Sequence, residues 1–274
     1  MNAVLDDAPL NLLRVLMIQP MLCWQDPAEN RRQLETQING ALADGGSGVD
    51  LILLPETFTT GFMGDSKRTA EAMDGATVAW MKAQAKARRA AIAGSAAIDE
   101  DGKRFNRFLF VTPEGDVQHY DKRHLFAYHR ENERYAAGNR RVVLSYRGWR
   151  ICPQICYDLR FPVWCKNLQD YDLLLFVANW PSKRVNAWRA LLKARAIENQ
   201  AYVIGINRVG QDGTGLEFPG QSTAYDGLGE EMASLGDQVA SQVVELDLDT
   251  LHRLRTELPF LADADEFRIE LGSE

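Results

Sequence analysis

The chain has 274 residues, of which 46% are hydrophobic and 25% charged, and its 31 Lys plus Arg against 38 Asp plus Glu give a net charge of -7. An acidic balance with no basic cluster argues against a nucleic-acid partner, because phosphate binding relies on a surplus of cationic side chains. A globular chain this long buries most of its apolar surface without metals or disulfides, so the expectation is one unit, 1–274, with 249–274 as a C-terminal helix and tail.

Two apolar runs, 12–19 and 49–54, end at Pro20 and Pro55, and between them 31–42 places Leu34, Ile38, Ala41 and Leu42 at helical spacing. The chain therefore opens strand, helix, strand. Residues 76–89, rich in strong helix formers, predict a second helix and 90–98 the strand after it. Segments 105–111 and 116–120 flank a turn, TPEG, that supplies Pro for a fixed φ and Gly for a positive one, and they read as a hairpin. Strands follow at 141–146, 149–155 and 173–178, then a helix over 187–200 leading into a strand at 202–206. A second hairpin at 222–225 and 231–235 straddles DGLG, and 243–248 adds a strand before a short helix and an acidic tail. No linker, low-complexity block or repeat interrupts the alternation, which implies mixed sheets layered with helices in an α/β fold.

The longest strongly apolar run, 173–181, falls far short of the roughly 20 residues of a membrane span. Before Leu12 stand Asp6 and Asp7 and no Lys or Arg, unlike a secretory signal, so a cytoplasmic location is expected. The four cysteines, Cys23, Cys152, Cys156 and Cys165, are too few for a disulfide scaffold and form no C-x-x-C pair of the kind that holds zinc. Neither a metal nor a cofactor is implied.

Three residues stand apart from packing. Glu56 follows an apolar strand at its carboxyl end, where open α/β sheets build their sites. Lys122 lies in the aperiodic, charged and aromatic string YDKRHLF (120–126). Cys156 ends a strand and precedes a stretch with Pro162 suited to a helix start. That strand-to-helix turn would present the thiol to backbone N–H groups and a helix dipole able to lower its pKa. The other three cysteines read as structural.

Together these strings resemble the nitrilase, or carbon–nitrogen hydrolase, superfamily, whose members carry a Glu-Lys-Cys triad in that chain order. The matching strings are LLPETFTTGF (53–62), YDKRHLF (120–126) and ICYDLRFP (155–162), with 66 residues from Glu56 to Lys122 and 34 from Lys122 to Cys156. ANWP (178–181), ARAIENQAY (194–202), NRVG (207–210) and GQS (220–222) extend the likeness, and the long strings YDKRHLF (120–126) and CYDLRFPVW (156–164), with DADEF (263–267), resemble the bacterial omega-amidase branch acting on 2-oxoglutaramate. The resemblance implies a four-layer αββα sandwich, a homodimer, a small amide as substrate and no cofactor. It also implies a second glutamate in the loop after the lysine, for which Glu131 is best placed and Glu133 is the alternative.

An amide carbonyl is a poor electrophile, so its cleavage needs a strong nucleophile, a proton carrier and donors for the oxyanion. On the resemblance, Cys156 attacks, Glu56 carries the proton, and Lys122 with the Tyr157 N–H holds the oxyanion, giving a thioester that water then opens. For a substrate with a carboxylate end, Arg160 is the candidate cation and Phe62, Tyr157 and Trp180 are candidate walls. Alternatively, Arg160 makes a structural salt bridge to Asp158 or to a dimer neighbour. Other C–N hydrolases of the superfamily, a Cys–His hydrolase using His119, His124 or His129, and an inactive binding protein are the competing readings.

Overall fold

A computed structural model describes residues 10–44, 48–62 and 64–270; the stretch holding Asp6 and Asp7 and residues 271–274 of the expected tail lie outside them. In chain order the strands are β1 (Leu12–Gln19), β2 (Leu51–Leu53), β3 (Ala91–Glu100), β4 (Lys103–Val111), β5 (Val117–Asp121), β6 (Leu144–Tyr146), β7 (Trp149–Ile155), β8 (Leu173–Val177), β9 (Tyr202–Ile206), β10 (Val209–Gln211), β11 (Glu217–Pro219), β12 (Thr223–Tyr225), β13 (Glu231–Ser234) and β14 (Ala240–Asp247). The α-helices are α1 (Pro27–Asp44), α2 (Ser66–Thr69), α3 (Ala76–Arg88), α4 (Pro162–Cys165), α5 (Val185–Asn199) and α6 (Leu248–Glu257).

One six-stranded sheet runs β14-β1-β2-β3-β4-β5 and the other β13-β12-β9-β8-β7-β6, each with a parallel centre and antiparallel edges. The strand period of two divides each sheet's side chains between two cores. Leu173, Leu175 and Val177 of β8 join Leu13, Val15, Phe108 and Phe110 in the core between the sheets. Leu174 and Phe176 face the other way, onto Trp188, Leu192 and Ala196 of α5, which recur every four residues along one helix face. A Cβ on Gly205 would stand 2.7 Å from Trp188, so α5 sits this close to β9 because residue 205 has no side chain. On the far side, α1 and α3 cover the first sheet through Leu34, Ile38, Val78 and Met81. These layers form the αββα sandwich.

The differences from the sequence reading have local causes. Helix α1 starts at Pro27 rather than at 31, because proline suits the first helical turn and Asp26 accepts from the Glu29 N–H at 3.0 Å. Strand β6 covers only the end of 141–146, since Arg141 leaves the sheet edge to pair with Asp170. The β10–β11 ribbon went unpredicted; strands of three residues carry no periodic signal.

Candidate active site

At one end of the sandwich the inward-facing rows of the inter-sheet core turn polar. Ser95 continues the row of Ala91 and Ala93 in β3, Asn106 that of Phe108 and Phe110 in β4, Lys122 follows Tyr120 of β5, and Asn179 follows Val177 of β8. Glu56 enters this group just after β2 and is fully buried, as are Lys122 and Glu131.

The Lys122 ammonium donates to Glu56 Oε1 at 2.9 Å and to both Glu131 oxygens at 3.0 and 2.9 Å. Asn106 Nδ2 bridges the same two carboxylates, at 2.8 Å to Glu56 and 3.2 Å to Glu131, and its own oxygen accepts from Ser95. Glu56 Oε2 accepts from the Asn179 backbone N–H at 2.8 Å, and Glu131 Oε2 from the Phe126 N–H at 2.6 Å. Burial works against the Lys122 ammonium, but Glu131 and Glu56 outweigh it and hold its pKa above the ordinary lysine value. Burial also raises the Glu131 carboxyl, against the pull of Lys122. Glu133, two residues on, is exposed and pairs with Arg130.

Cys156 follows β7 with φ at 46°, a left-handed conformation that a non-glycine residue adopts at a cost of about 1–3 kcal/mol. A 3-10 segment, Cys156–Arg160, comes between the strand and the helix α4, which starts at Pro162 as the sequence suggests. Asp158 fixes this elbow: its carboxylate accepts from the Ile155 N–H at 3.0 Å, the Tyr120 hydroxyl at 2.8 Å and the His124 N–H at 2.9 Å, joining the cysteine turn to the lysine loop. The expected lowering of the thiol pKa is overturned. Burial first, and then the Glu56 carboxylate, push the Cys156 thiol well above its ordinary value, against the opposing Lys122. The thiol is therefore protonated at rest and needs a base. The ionised groups acting most strongly on it are Glu56, Lys122 and Glu131, none of them a histidine.

Above the thiol opens a pocket whose lining includes Phe62, Phe126, Tyr157, Arg160 and Trp180. The Lys122 ammonium lies 5.1 Å from the centre of the Phe62 ring, and the Arg160 guanidinium 5.1 Å from that of Trp180. All eight predicted site residues thus meet in one place. Arg160 makes no salt bridge to Asp158, which is committed to the elbow.

Residues 14–256 match the family model for carbon-nitrogen hydrolases. The chain belongs to the carbon–nitrogen hydrolase family. It is 47% identical over 258 residues to the omega-amidase YafV of Escherichia coli, an alignment covering 94% of this chain and 98% of that one. A 2-oxoglutaramate amidase of Bacillus subtilis is 31% identical over 247 residues, 88% and 93% of the two chains. Among solved structures, the Xanthomonas campestris protein XC1258, a CN-hydrolase superfamily member described with an arsenic adduct in its active site, superimposes with a TM-score of 0.91 at 43% identity, covering 95% of this chain and all of that one.

Within this hydrolase, several site residues escaped the sequence reading. Asn106 and Ser95 lay inside strands assigned to packing, and the signal for them was a polar residue in an otherwise apolar inward row. In the sequence Asp158 stands out only as a partner for Arg160. Asp212, Thr214 and Leu216, in the turn of the unpredicted ribbon, complete the pocket rim.

Proposed function

We propose that this carbon–nitrogen hydrolase is an omega-amidase, releasing ammonia from the omega-amide of a small 2-oxo dicarboxylic acid monoamide such as 2-oxoglutaramate through a thioester on Cys156. The observation that carries the chemistry is the fully buried chain of Glu131, Lys122 and Glu56 beside the Cys156 thiol. Glu56 is the carboxylate that acts most strongly on the thiol, and we assign it as the proton acceptor.

As the Cys156 sulfur attacks the amide carbon, its proton passes to Glu56, and the carbonyl oxygen takes the negative charge against the Lys122 ammonium and the Tyr157 N–H. The carbon–nitrogen bond breaks as Glu56 gives the proton to nitrogen, and ammonia leaves. Water then loses a proton to Glu56, attacks the thioester and breaks the carbon–sulfur bond, and the thiol regains its proton as the acid departs. Glu131 is a positioning residue that holds Lys122 through both oxygens. Arg160 faces the carboxylate end of the substrate, with Phe62, Tyr157 and Trp180 as walls.

The substrate class draws its support from the omega-amidase and 2-oxoglutaramate amidase relatives together with a cation in the pocket. We read the chain as one hydrolase domain acting in the cytoplasm as a homodimer. For the dimer, the support is the family resemblance and the exposed apolar Ile197, which packs beside Gly229 in the turn that also exposes Leu228.

A panel of omega-amides, neutral amides, nitriles and carbamoyl amino acids tests this reading: the 2-oxo omega-amide should give the highest kcat/KM. Preference for nitriles or neutral amides would sink it. Cys156→Ala should lower turnover by about a thousandfold or more while leaving the circular dichroism unchanged. Hydroxylamine should trap the acyl group as a hydroxamate with wild type and not with Cys156→Ala.

A further inference from the structure

Two arginines line the pocket with Cys156, and only Arg160 has a role so far. The Arg184 guanidinium stacks 5.1 Å from the centre of the Phe126 ring, as that of Arg160 does on Trp180. The two are built around one side chain, since the Trp180 indole N–H donates to the Arg184 carbonyl at 2.7 Å. Stacking holds a guanidinium plane in place while leaving its N–H edges free. Neither arginine has a carboxylate partner among the described residues, whereas Arg107 holds two and Arg141, Arg150 and Arg255 each hold one.

The carboxylate on the pocket wall does not cancel them. Asp212 Oδ1 is occupied by the Thr214 and Leu216 N–H groups of its own turn, and the fully buried Arg208 acts on Asp212 electrostatically. The pocket is thus polarised, with the buried Glu56, Lys122 and Glu131 behind Cys156, outside its lining, and two guanidiniums without carboxylate partners on its wall. A monoanionic amide entering it is oriented, amide inward and carboxylate outward.

We propose that Arg184 is a specificity-determining residue: with Arg160 it grips a 2-oxo carboxylate, and it turns away the otherwise identical 2-ammonium acid. One guanidinium suffices for a carboxylate. The second, offering donors only, suits a neighbouring oxo oxygen and repels an ammonium at the same carbon. This rests on the omega-amidase reading.

The test compares four amides, 2-oxoglutaramate, glutaramate, glutamine and butyramide, with wild type, Arg184→Ala and Arg184→Lys. Arg184→Ala should lower kcat/KM for 2-oxoglutaramate by about 10- to 100-fold, mainly through KM, while leaving butyramide within about twofold. The preference for 2-oxoglutaramate over glutamine should shrink at least tenfold, and Arg184→Lys should recover part of it. An equal loss on all four amides, or no loss on any, overturns the role of Arg184 and leaves the omega-amidase reading standing. A wild type that prefers butyramide overturns both.

Discussion

Strands β4 and β5 carry two buried cation clusters back to back. On the outer face Arg107 is the register partner of Asp121 and forks onto both Asp121 and Glu100, with four hydrogen bonds between 2.7 and 3.1 Å. One residue away along each strand, on the inner face, Asn106 and Lys122 meet Glu56 and Glu131. Both cations are buried, but Glu100 and Asp121 reach water, with 48% and 17% of their side chains exposed, whereas Glu56 and Glu131 have none. A buried ion pair is therefore no mark of catalysis by itself. The charge count is the same at the two, one cation and two carboxylates; what sets the inner cluster apart is that both its carboxylates are fully buried and a nucleophile lies against it.

Removing the charge at each cluster breaks the comparison open, and the inner one should respond most. Lys122→Met strands two carboxylates without a counter-ion, which should cost about 3–5 kcal/mol in urea unfolding, and it should abolish turnover. Lys122→Arg keeps the charge but replaces a compact ammonium with a planar fork in a site that has no room for it, so kcat should still fall about a hundredfold or more. Near-normal kcat in Lys122→Arg would remove Lys122 from the chemistry. Glu131→Gln keeps an acceptor for the Phe126 N–H but lets Lys122 swing toward Glu56, so kcat should fall about 10- to 100-fold, against no more than about twofold for Glu133→Gln. Equal effects at the two positions would undo the choice of Glu131.

How much of this was legible in the sequence follows from the same two faces. The layers could be read because apolar runs such as 173–178, buried on both faces, and the helical spacing of Leu34 and Ile38 are strong periodic signals. Glu56, Lys122 and Cys156 could be read because each closes a strand in a recognisable string. Asn106 could not, because one amide within a strand looks like any polar residue until the partner strand fixes its face. The thiol pKa is illegible for a related reason: a turn's donors are visible in sequence, but the burial that raises the thiol, and the Glu56 carboxylate 100 residues away that adds to it, are set by the fold.

The thiol offers a test in which the sign matters. Because its pKa is raised, the protonated form persists through and beyond the ordinary thiol range, and the thiolate appears only as pH climbs past it. The rate of iodoacetamide labelling at Cys156, followed by mass spectrometry, should therefore keep rising beyond about pH 9. Wild type and Glu56→Gln should differ, since Gln removes the charge that resists thiolate formation, and labelling of the variant should level off at lower pH. A plateau below pH 8 in wild type would show a thiolate already formed at rest.

The smallest effect on chemistry is expected at the outer cluster. Arg107→Met removes a guanidinium whose partners can both turn to water, so the cost should be about 1–3 kcal/mol, below that of Lys122→Met, because neither carboxylate is left dry. Turnover should stay within about twofold, since the inner side chains keep every hydrogen bond they have. Asp121 is one link between the faces, as the Asn106–Arg107 step of β4 is the other: it pairs with Arg107 on the outer face and precedes Lys122 on the inner one, and Gly138 packs against its carbonyl, 2.1 Å from where a Cβ would sit. If that packing holds the backbone, as the Gly138 N–H bond to the Lys122 carbonyl at 2.9 Å implies, loss of the outer pair leaves Lys122 in place. A fall in kcat that tracks the loss of stability in Arg107→Met would show instead that the outer ion pair positions the catalytic lysine, and the two faces would then have to be treated as one device.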